Sequence, residues 1–420
     1  MKILMLSWEY PPKNVGGLAQ HVSHLSKALV RHGVEVHVVT VGGNEVVPYE
    51  ECEGVKIHRV NTYSLSAPDF RTWILHLNFS LMEYAVTLIN TIKNVDIIHA
   101  HDWLVAYTGR ALKHAFQLPL VATIHATEYG RNHGLHNENQ RYISDVEWWL
   151  TYEAWQVIVC SCYMKRELNG FFQLPGDKIT VIPNGVNIED YQLKVNSIQG
   201  YEKYIFFIGR LVREKGIQVL IDAAPKILKT FPEARFIIAG TGPYEEQLRA
   251  RVREQRLEHR VHFAGYVNDQ LRNKLYKQSS VAVFPSLYEP FGIVALEAMA
   301  AGTPVVVSDT GGLGEIVDHG SDGLKCYVGS PDSLADNIMA VLGNQSFAEQ
   351  LRTNGYAKAK NKYSWSSIAK RTTDVYEQVI RRSGKNDWHT DTWMASDPIS
   401  ALYDKIKNIS KSSIFSQRAH

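Results

Sequence analysis

The sequence predicts an α/β protein built from two facing Rossmann-like domains with a cleft between them. Strand-like runs alternate with segments of helical length, and several of these runs are continuously apolar and β-branched. Such runs are typical of parallel strands that helices cover on both faces. The pattern restarts after Asn184, and a chain of 420 residues exceeds what one hydrophobic core usually holds. We therefore expect a ligand in the cleft, at the carboxyl ends of the strands.

The first predicted domain covers residues 1–184 and contains a series of strand-like runs. These runs are Lys2–Leu6, Val34–Thr40, Val55–Val60, Val95–His99, Leu120–His125, Val157–Cys160 and Ile179–Ile182. Between the first two runs the apolar residues recur with the helical period, so we expect a helix that buries one stripe. The stripe consists of Leu18, Val22, Leu25 and Leu29.

The second predicted domain covers residues 185–363. A turn cluster, Ile182-Pro183-Asn184-Gly185-Val186, and the polar stretch 187–202 mark the boundary. The strand-like runs of this domain are Tyr204–Ile208, Arg235–Ala239, Val261–Phe263, Val281–Phe284, Pro304–Ser308 and Gly323–Tyr327. A helix is expected from about Ile217 to Thr230, so each half opens with a strand, a glycine-bearing loop and a helix.

A last helical pattern covers residues 364–382 and places several apolar side chains on one face. The residues of this face are Ile368, Thr372, Val375, Tyr376 and Val379. Such a helix can pack on either domain, and we expect it to cross back to the first. The tail 383–420 is rich in Ser, Lys, Asn and Asp, and its pattern predicts no role.

Composition and charge exclude several classes of protein. The chain has 45 Lys+Arg and 43 Asp+Glu, a formal net charge of +2, which fits neither a nucleic-acid-binding surface nor a basic membrane-docking face. The apolar run Met1–Leu6 is too short for a secretory signal, and polar residues interrupt the longest apolar stretch, Ile74–Ile92. Four scattered cysteines form neither a disulfide scaffold nor a CxxC zinc pair. We expect a cytoplasmic protein without stable membrane insertion, with the cysteines as small buried side chains.

Two loops carry groups that suit a phosphate. Gly16 and Gly17 lie between the first strand and its helix, where glycine lets the backbone approach a ligand and helix amides favour an anion. A plain tight turn is the alternative for these glycines. Arg210 and Lys215 lie at the end of a second-domain strand and before the next helix. The two cations can stabilise a phosphate leaving group without a metal ion, although solvated surface charges fit the same pattern.

The segment Pro285–Pro304 carries the most information about function. It begins at a strand end, passes Pro290 and Gly292, and enters a helix whose first amides are free to bind an anion. Glu289 lies in the loop, whereas Glu297 lies on an otherwise apolar helix face. A buried carboxylate needs partners, which the hydroxyl groups of a ribose or sugar would provide. An exposed glutamate on a surface helix is the alternative.

Together these motifs resemble the retaining B-type glycosyltransferases (GT-B fold), and more narrowly the group 1 family with the glycogen and starch synthases. The residues that carry the resemblance are Gly16-Gly17, Pro183-Asn184-Gly185-Val186, Gly209-Arg210, Lys215-Gly216, and Glu289 and Glu297 in an E-x7-E arrangement. The match extends from Met1 to about Arg382. It is more specific for fold and reaction type than for substrate.

The resemblance implies a role for each matching residue. Arg210 and Lys215 would hold the donor diphosphate, Glu297 the ribose hydroxyls and Glu289 the hydroxyls of the transferred sugar. Backbone amides after Glu289 and the N-terminal glycine loop would complete the donor site. The residues of these two loops are Phe291, Gly292, Ile293, Gly16 and Gly17. His125 would lie beside the transferred sugar, so the implied catalytic set is His125, Glu289, Arg210 and Lys215.

The first half also resembles the α-glucan branch of the family. The segments concerned are Trp8-Glu9-Tyr10-Pro11-Pro12, His99-Ala100-His101-Asp102-Trp103 and His125-Ala126-Thr127-Glu128. Synthases of the related pattern carry Lys two residues before their paired glycines, whereas here Asn14 occupies that position and Lys13 precedes it. Aromatic rings stack on sugar faces, with core packing as the alternative for each ring. The acceptor candidates are Trp8, Tyr10, Asp102, Trp103 and Tyr129.

The histidines also permit a metal site. His99, His101 and His125, with Asp102, offer ligands of the kind found in metal-dependent hydrolases, and His133 and His136 add further nitrogen donors. A hydrolase of that type would be expected to have a barrel of alternating strands and helices. The glycine loop and the second series of strands after Asn184 instead favour two facing sheets. No D-x-D motif occurs at a strand end, so we predict no metal and no other cofactor.

We expect a retaining hexosyltransferase that moves glucose from ADP-glucose or UDP-glucose to an α-glucan, as a glycogen synthase does. One alternative keeps the fold and changes the acceptor to a small sugar, a sugar phosphate or a lipid. Two others are a sugar-nucleotide epimerase and a binding module without turnover. No nucleic-acid partner is expected. The nucleotide base, the exact hexose and the oligomeric state carry no sequence signal.

Overall fold

The computed structural model describes residues 1–13, 17–43, 46–191 and 203–384. Within these residues the chain forms two sheets whose strands alternate with helices, and this confirms the predicted α/β fold with two Rossmann-like domains. Met1–Val379 forms one compact unit that contains both sheets, and the few described residues from Ile380 onward belong to a second unit.

The first described sheet has eight strands. In chain order they are β1 (Lys2–Leu6), β2 (Glu35–Val41), β3 (Tyr49–Cys52), β4 (Val55–Val60), β5 (Ile97–His101), β6 (Leu120–Ile124), β7 (Gln156–Val159) and β8 (Ile179–Val181). Their spatial order is β3-β4-β2-β1-β5-β6-β7-β8, and only the pair of β3 with β4 is antiparallel. Leu4 and Leu6 are fully buried, as both faces of a parallel sheet require.

Six α-helices accompany this sheet in the described residues. They are α1 (Gly17–Arg31), α2 (Phe70–Ile92), α3 (Ala106–Phe116), α4 (Glu128–Asn132), α5 (Glu138–Glu153) and α6 (Cys162–Phe172). Helix α1 buries the predicted stripe of Leu18, Val22, Leu25 and Leu29. Its periodicity therefore located the helix and its inner face correctly.

The second described sheet has six strands and is parallel throughout. Its strands are β9 (Tyr204–Ile208), β10 (Arg235–Ala239), β11 (Val261–Gly265), β12 (Val281–Phe284), β13 (Val305–Ser308) and β14 (Leu324–Cys326). The spatial order is β11-β10-β9-β12-β13-β14. The helices that follow are α7 (Ile217–Thr230), α8 (Glu245–Glu254), α9 (Asp269–Gln278), α10 (Ile293–Ala300), α11 (Gly311–Ile316), α12 (Pro331–Gly343), α13 (Gln345–Lys362) and α14 (Trp365–Ser383).

Strand β3 is absent from the sequence prediction. It forms the edge of its sheet, and its side chains alternate between exposed and half-buried positions, with Tyr49 52% exposed. The segment therefore lacks the continuous apolar run that marked the other strands. The predicted run Val95–His99 is displaced in the structure to Ile97–His101, which places His99 and His101 both inside a buried strand.

Helix α14 contacts the first sheet and its helices through residues up to Val379. The Trp365 ring stacks on His24 of α1 at 5.5 Å between centroids, and Arg371 donates to the Val181 carbonyl at 2.5 Å. Further along, the Tyr376 hydroxyl bonds to His99 Nδ1 at 2.6 Å. The predicted domain limits at 184 and 363 stay predictions, and the tail from residue 385 lies outside the described residues.

Candidate active site

A cavity of about 570 Å³ lies where the carboxyl ends of the two sheets meet. The loops after β1, β5 and β6 line it from the first sheet, and the loops after β9 and β12 line it from the second. In both sheets the strand order reverses at these strands, between β1 and β5 and between β9 and β12. Crevices at such reversal points are the usual ligand sites of open parallel sheets.

The second sheet contributes an ion pair to the cavity. Lys215 Nζ lies 2.8 Å from Glu289 Oε2, and the two side chains are 23% and 9% exposed. The hydroxyl of Ser286 also donates to Glu289 Oε2, at 3.2 Å. Gly216 follows Lys215 with φ +71°, and a Cβ there would lie 1.9 Å from the Pro285 carbonyl oxygen, so only glycine permits this approach of the two loops.

Arg210 lies on the same side of the cavity but is more open to solvent. Its side chain is 53% exposed, and its guanidinium lies 3.7 Å from the Glu214 carboxylate. The Glu214 carbonyl accepts the backbone N–H groups of Leu287 and Tyr288. The loop with the two cations is therefore tied to the loop with Glu289.

Helix α10 begins at the cavity. Phe291, Gly292 and Ile293 all line it, and the first amides of a helix have no partner within the helix. Gly292 has φ +100°, and a Cβ there would lie 2.4 Å from Leu313 Cδ2. The turn that directs the start of α10 to the cavity thus requires glycine.

The first sheet contributes His125 and Asp102. The backbone N–H of His125 donates to Asp102 Oδ1 at 2.8 Å, and Asp102 itself has φ +59°. Burial raises the pKa of Asp102 to about 6 and lowers the pKa of His125 to about 3, where Arg131 adds a smaller effect in the same direction. At neutral pH, His125 is therefore an uncharged imidazole at the cavity wall.

Four histidines meet behind this wall. His101 Nδ1 lies 3.2 Å from His125 Nε2, and the His21 ring lies 4.6 Å from the His125 ring. His99 bonds through both ring nitrogens, to Tyr376 and to Thr123. His125 thus lines the cavity with three further histidines packed behind it.

Direct contacts join the two halves beside the cavity. Ser161 Oγ donates to the Pro290 carbonyl at 2.7 Å. The backbone N–H groups of Cys162 and Tyr163 donate to the Glu315 carboxylate at 2.8 and 2.6 Å. These are the first amides of α6, where a carboxylate is favoured. The loop after β12 and Glu315 on α11 thus bind the start of α6 in the first half through hydrogen bonds.

Comparison with known proteins agrees with this architecture. Residues 189–358 match the family described as glycosyl transferases group 1, and residues 15–190 match glycosyltransferase family 4. A Mycobacterium tuberculosis protein named glycogen synthase is 34% identical over 390 residues, which cover 90% of this chain and 94% of that protein. A Methanocaldococcus jannaschii protein named as an uncharacterized glycosyltransferase is 43% identical over 396 residues, or 92% of this chain and 100% of the other. This chain belongs to the group 1 glycosyltransferases.

Solved structures confirm the GT-B fold of this glycosyltransferase. Sucrose-phosphate synthase from Thermosynechococcus elongatus superposes with a TM-score of 0.79 at 25% identity, over 91% of this chain and 99% of the other. The catalytic domain of starch synthase IV from Arabidopsis thaliana, solved with ADP and acarbose, has a TM-score of 0.71 at 17% identity. It covers 90% of this chain and 99% of the other. The two-domain expectation from sequence is thereby confirmed at the level of fold.

The structure brings most of the predicted site residues of the glycosyltransferase to one cavity. Those that line it are Trp8, Gly17, Asp102, Trp103, His125, Arg210, Lys215, Glu289, Phe291, Gly292 and Ile293. Gly16 lies outside the described residues. Tyr10 is buried with its hydroxyl 3.4 Å from Ser26, and Tyr129 stacks on Phe171 at 4.1 Å, so neither lines the cavity. Tyr10 is packed in the protein interior, whereas Tyr129 is 37% exposed.

Glu297 of the glycosyltransferase has protein partners rather than a place in the cavity wall. The Tyr276 hydroxyl donates to Glu297 Oε2 at 3.1 Å, and Arg272 lies 3.6 Å from Oε1. Burial raises the pKa of Glu297 in spite of Arg272. Its burial alone therefore does not require a ribose, and that role stays a prediction.

Sequence reasoning did not select several groups at the cavity. Glu9 lines it and accepts the backbone N–H of Ala19 at 3.3 Å, and Arg131 lines it from α4. Both follow a predicted strand closely, and position after a strand end was the signal available for them. Lys13, which precedes the position of the family's lysine, donates to the Gly42 carbonyl.

No helix among the described residues is long and apolar enough to cross a membrane. The four cysteines are free thiols. Cys160 and Cys326 are buried as predicted, whereas Cys52 is half-buried and Cys162 is exposed. Cys162 is exposed because it begins α6 at the protein surface.

Proposed function

We propose that this glycosyltransferase moves glucose from a nucleotide diphosphate sugar to an α-glucan, with retention of the anomeric configuration. The observation that carries the proposal is one cavity lined by Arg210 and Lys215 from one sheet and by His125 from the other. Arg210 and Lys215 offer positive charge for a leaving diphosphate, and His125 offers an uncharged hydrogen-bonding group for a sugar. All three residues line the same cavity. The donors to test first are ADP-glucose and UDP-glucose.

Named relatives support glucose and a glucan as substrates. The 34% identical relative is a glycogen synthase, and its match spans 90% of this chain, so it includes both halves of the cavity. The starch synthase IV structure, which shares the fold, holds ADP and acarbose. Trp8 and Trp103 line the first-sheet side of the cavity; Trp8 is half-buried and offers a ring face for a sugar unit, whereas Trp103 is only 4% exposed.

Negative charge develops on the diphosphate as the bond between the anomeric carbon and the phosphate oxygen breaks. Arg210 is largely exposed and free to form a fork with phosphate oxygens, and Lys215 adds a point charge. Removal of one such group from a preorganised site typically costs about 3 to 4 kcal/mol of transition-state stabilisation. The two cations supply this charge without a metal ion, and metal independence is part of the proposal.

Retention is proposed to follow from attack on the face that the leaving group departs from. The acceptor oxygen bonds to the anomeric carbon while its proton passes to the departing phosphate oxygen. The first-half carboxylates that line the cavity are Glu9, Asp102 and Glu128. Glu9 and Asp102 accept backbone N–H groups, and Glu128 accepts from the Asn132 amide, so we assign all three positioning rather than nucleophilic roles. The contacts of Ser161 and Glu315 with the opposite half favour a closed cavity, which suppresses hydrolysis of the donor.

A panel of labelled nucleotide sugars tests the proposal. Each donor is incubated with glycogen, maltose, glucose phosphates or a lipid acceptor, and the product's anomeric configuration is read by NMR. We expect α-linked glucose on the glucan. Conversion of the donor without an acceptor indicates the epimerase, and binding without nucleotide release indicates a module without turnover.

A sugar phosphate is the second candidate acceptor. Arg131 lines the first-sheet side of the cavity, where a phosphate on the acceptor would meet it. A Mycobacterium tuberculosis relative that is 27% identical over 409 residues is named alpha-maltose-1-phosphate synthase. If the acceptor carries a phosphate, Arg131→Met raises its KM at least tenfold and leaves transfer to maltose unchanged.

A cytoplasmic location also belongs to the proposal. Four free cysteines, two of them buried, fit a reducing compartment. Fractionation of the source cells with an antibody to the protein tests it.

A further inference from the structure

His21, His101 and His125 form a compact cluster, with one ring each from α1, β5 and the loop after β6. One ring nitrogen of each residue lies within 4.8 Å of the other two. Ring centroids are 4.6 Å apart for His21 and His125 and 5.5 Å apart for His21 and His101. Three elements distant in sequence thus direct imidazoles to one point beside the cavity.

The hydrogen bond of His21 determines which of its nitrogens is available. His21 Nδ1 lies 2.7 Å from Asn184 Oδ1, and because a carbonyl oxygen only accepts, Nδ1 carries the proton. The lone pair is then on Nε2, which is buried and has no hydrogen-bond partner among the described residues. A histidine whose outer nitrogen donates to an amide or carboxylate oxygen is the arrangement usual for metal ligands.

His101 presents the same feature. Its Nε2 is also buried and without a partner in the described part of the chain, while Nδ1 lies 3.2 Å from His125 Nε2. Burial lowers the pKa of all three histidines, so each is neutral near pH 7 and has a lone pair to share. The adjacent His99 differs, because both of its nitrogens are bonded.

We propose that His21, His101 and His125 bind one transition-metal dication of the Zn²⁺ type, and that this metal inhibits sugar transfer. Imidazole nitrogens suit Zn²⁺, Cu²⁺ and Ni²⁺, whereas Mg²⁺ and Ca²⁺ prefer oxygen ligands. Nitrogens bound to Zn²⁺ at about 2.0–2.1 Å lie roughly 3.3 Å apart. The three ligand nitrogens lie within 4.8 Å of one another, so the rings must move closer when the metal binds, and the hydrogen bond between His101 Nδ1 and His125 Nε2 breaks if either nitrogen becomes a ligand.

Inhibition follows from the position of His125. His125 lines the cavity, so the metal enters from there and leaves its open coordination position facing the substrate. A dication held by His125 opposes the positive charge that develops on the transferred sugar, and this part rests on the proposed function. Arg131 lowers the pKa of His125 and opposes a metal cation there in the same way, so we expect weaker binding than at a closed structural zinc site.

Competition with a chromophoric chelator measures Zn²⁺ binding to the full chain after treatment with EDTA and gel filtration. The key variant is His21→Asn, whose amide nitrogen replaces Nδ1 and still donates to Asn184, while Nε2 is lost. We expect wild type to bind one Zn²⁺ per chain and not Mg²⁺, and His21→Asn to bind Zn²⁺ at least tenfold more weakly. The matched control is His32→Asn, which removes an exposed histidine just after α1 and leaves the affinity unchanged.

A second variant changes the affinity in the opposite direction. Asn184→Asp places a carboxylate on His21 Nδ1, which increases the basicity of Nε2 and tightens Zn²⁺ binding. If His21→Asn does not fold, this variant still tests the site. Equal affinity in all variants, loss of binding on Cys162→Ser, or no binding at micromolar Zn²⁺ would overturn the proposal.

Activity assays separate this inference from the proposed function. Zn²⁺ at concentrations near its Kd inhibits wild-type transfer, EDTA reverses the effect, and His21→Asn needs at least tenfold more Zn²⁺ for the same inhibition. Stoichiometric binding without inhibition overturns the inhibitory role and the placement of His125 beside the sugar. Absence of transfer with every donor, together with normal Zn²⁺ binding, contradicts the proposed function and leaves the metal site intact.

Discussion

Removal of the positive charge at Lys215 separates its part in catalysis from its part in stability. Lys215→Met keeps the apolar stem, removes the charge, and leaves Glu289 with the hydroxyl of Ser286 at 3.2 Å. Arg210→Met is the matched variant, since Arg210 also faces the cavity but is 53% exposed and 3.7 Å from Glu214. Both cations are proposed to act on the leaving phosphate, whereas Lys215 alone of the two is in close contact with a buried carboxylate.

The magnitudes follow from these environments. Each variant should lower turnover roughly 10²- to 10³-fold, because loss of one group that stabilises developing charge costs about 3 to 4 kcal/mol. Lys215→Met also leaves a Glu289 side chain that is 9% exposed without its ion pair of 2.8 Å. An unpaired group of this kind lowers the free energy of unfolding by about 1 to 3 kcal/mol. Arg210→Met should change it by less than about 0.5 kcal/mol, as for other exposed ion pairs.

The assay combines steady-state release of nucleotide diphosphate with thermal unfolding of the free enzyme. Each kcal/mol should lower Tm by about 2–4 °C in domains of this size. Acceptor KM is expected to stay unchanged in both variants. Normal turnover with a raised acceptor KM would show that the cations bind another ligand, and equal Tm values for the two variants would refute the stability argument for Lys215.

Four further predictions follow from the site. Transfer should survive EDTA, and loss of activity that Mn²⁺ or Mg²⁺ restores would contradict leaving-group stabilisation by Arg and Lys alone. Glu297→Gln should mainly raise the donor KM. Glu289→Gln should reduce kcat and discrimination among hexose epimers, because Glu289 is proposed to touch the reacting sugar. Equal effects of both variants on the donor KM, with epimer selectivity intact, would contradict these separate roles. Glu315→Gln should weaken the contact of this side chain with the first amides of α6 by about 0.5–2 kcal/mol. Hydrolysis of the donor in the absence of acceptor should then rise several-fold relative to transfer. An unchanged ratio of hydrolysis to transfer would show that closure of the cavity does not depend on Glu315. Burial lowers the pKa of His21, so the unfolded chain binds a proton below about pH 6.5 that the folded chain excludes. The stabilisation from the neutral ring is present above that pH and lost as the pH falls, so the Tm advantage of wild type over His21→Asn should narrow from pH 7 to 5; a constant difference would contradict the shift.

Most strands and the first helix were predictable because their signals are local. Buried parallel strands need apolar residues on both faces, and the helical period alone located the stripe that begins at Leu18. The loops with Arg210, Lys215 and Glu289 could be placed at one edge of a sheet because parallel strands end on the same side. Strand β3 escaped prediction because an exposed edge strand does not need a continuous apolar run.

The partners of individual side chains were decided by tertiary structure. Glu297 looked like a carboxylate in need of a ligand, yet packing of α9 against the sheet supplies Arg272 and Tyr276. No signal in the sequence selected His21, because its place beside His125 depends on how α1 lies on the sheet. Hydrophobic periodicity is a property of neighbouring residues, so it can be recognised in the sequence alone. Distances between side chains that lie a hundred residues apart depend on strand register, helix position and closure of the two halves, which arise only when the whole chain has packed.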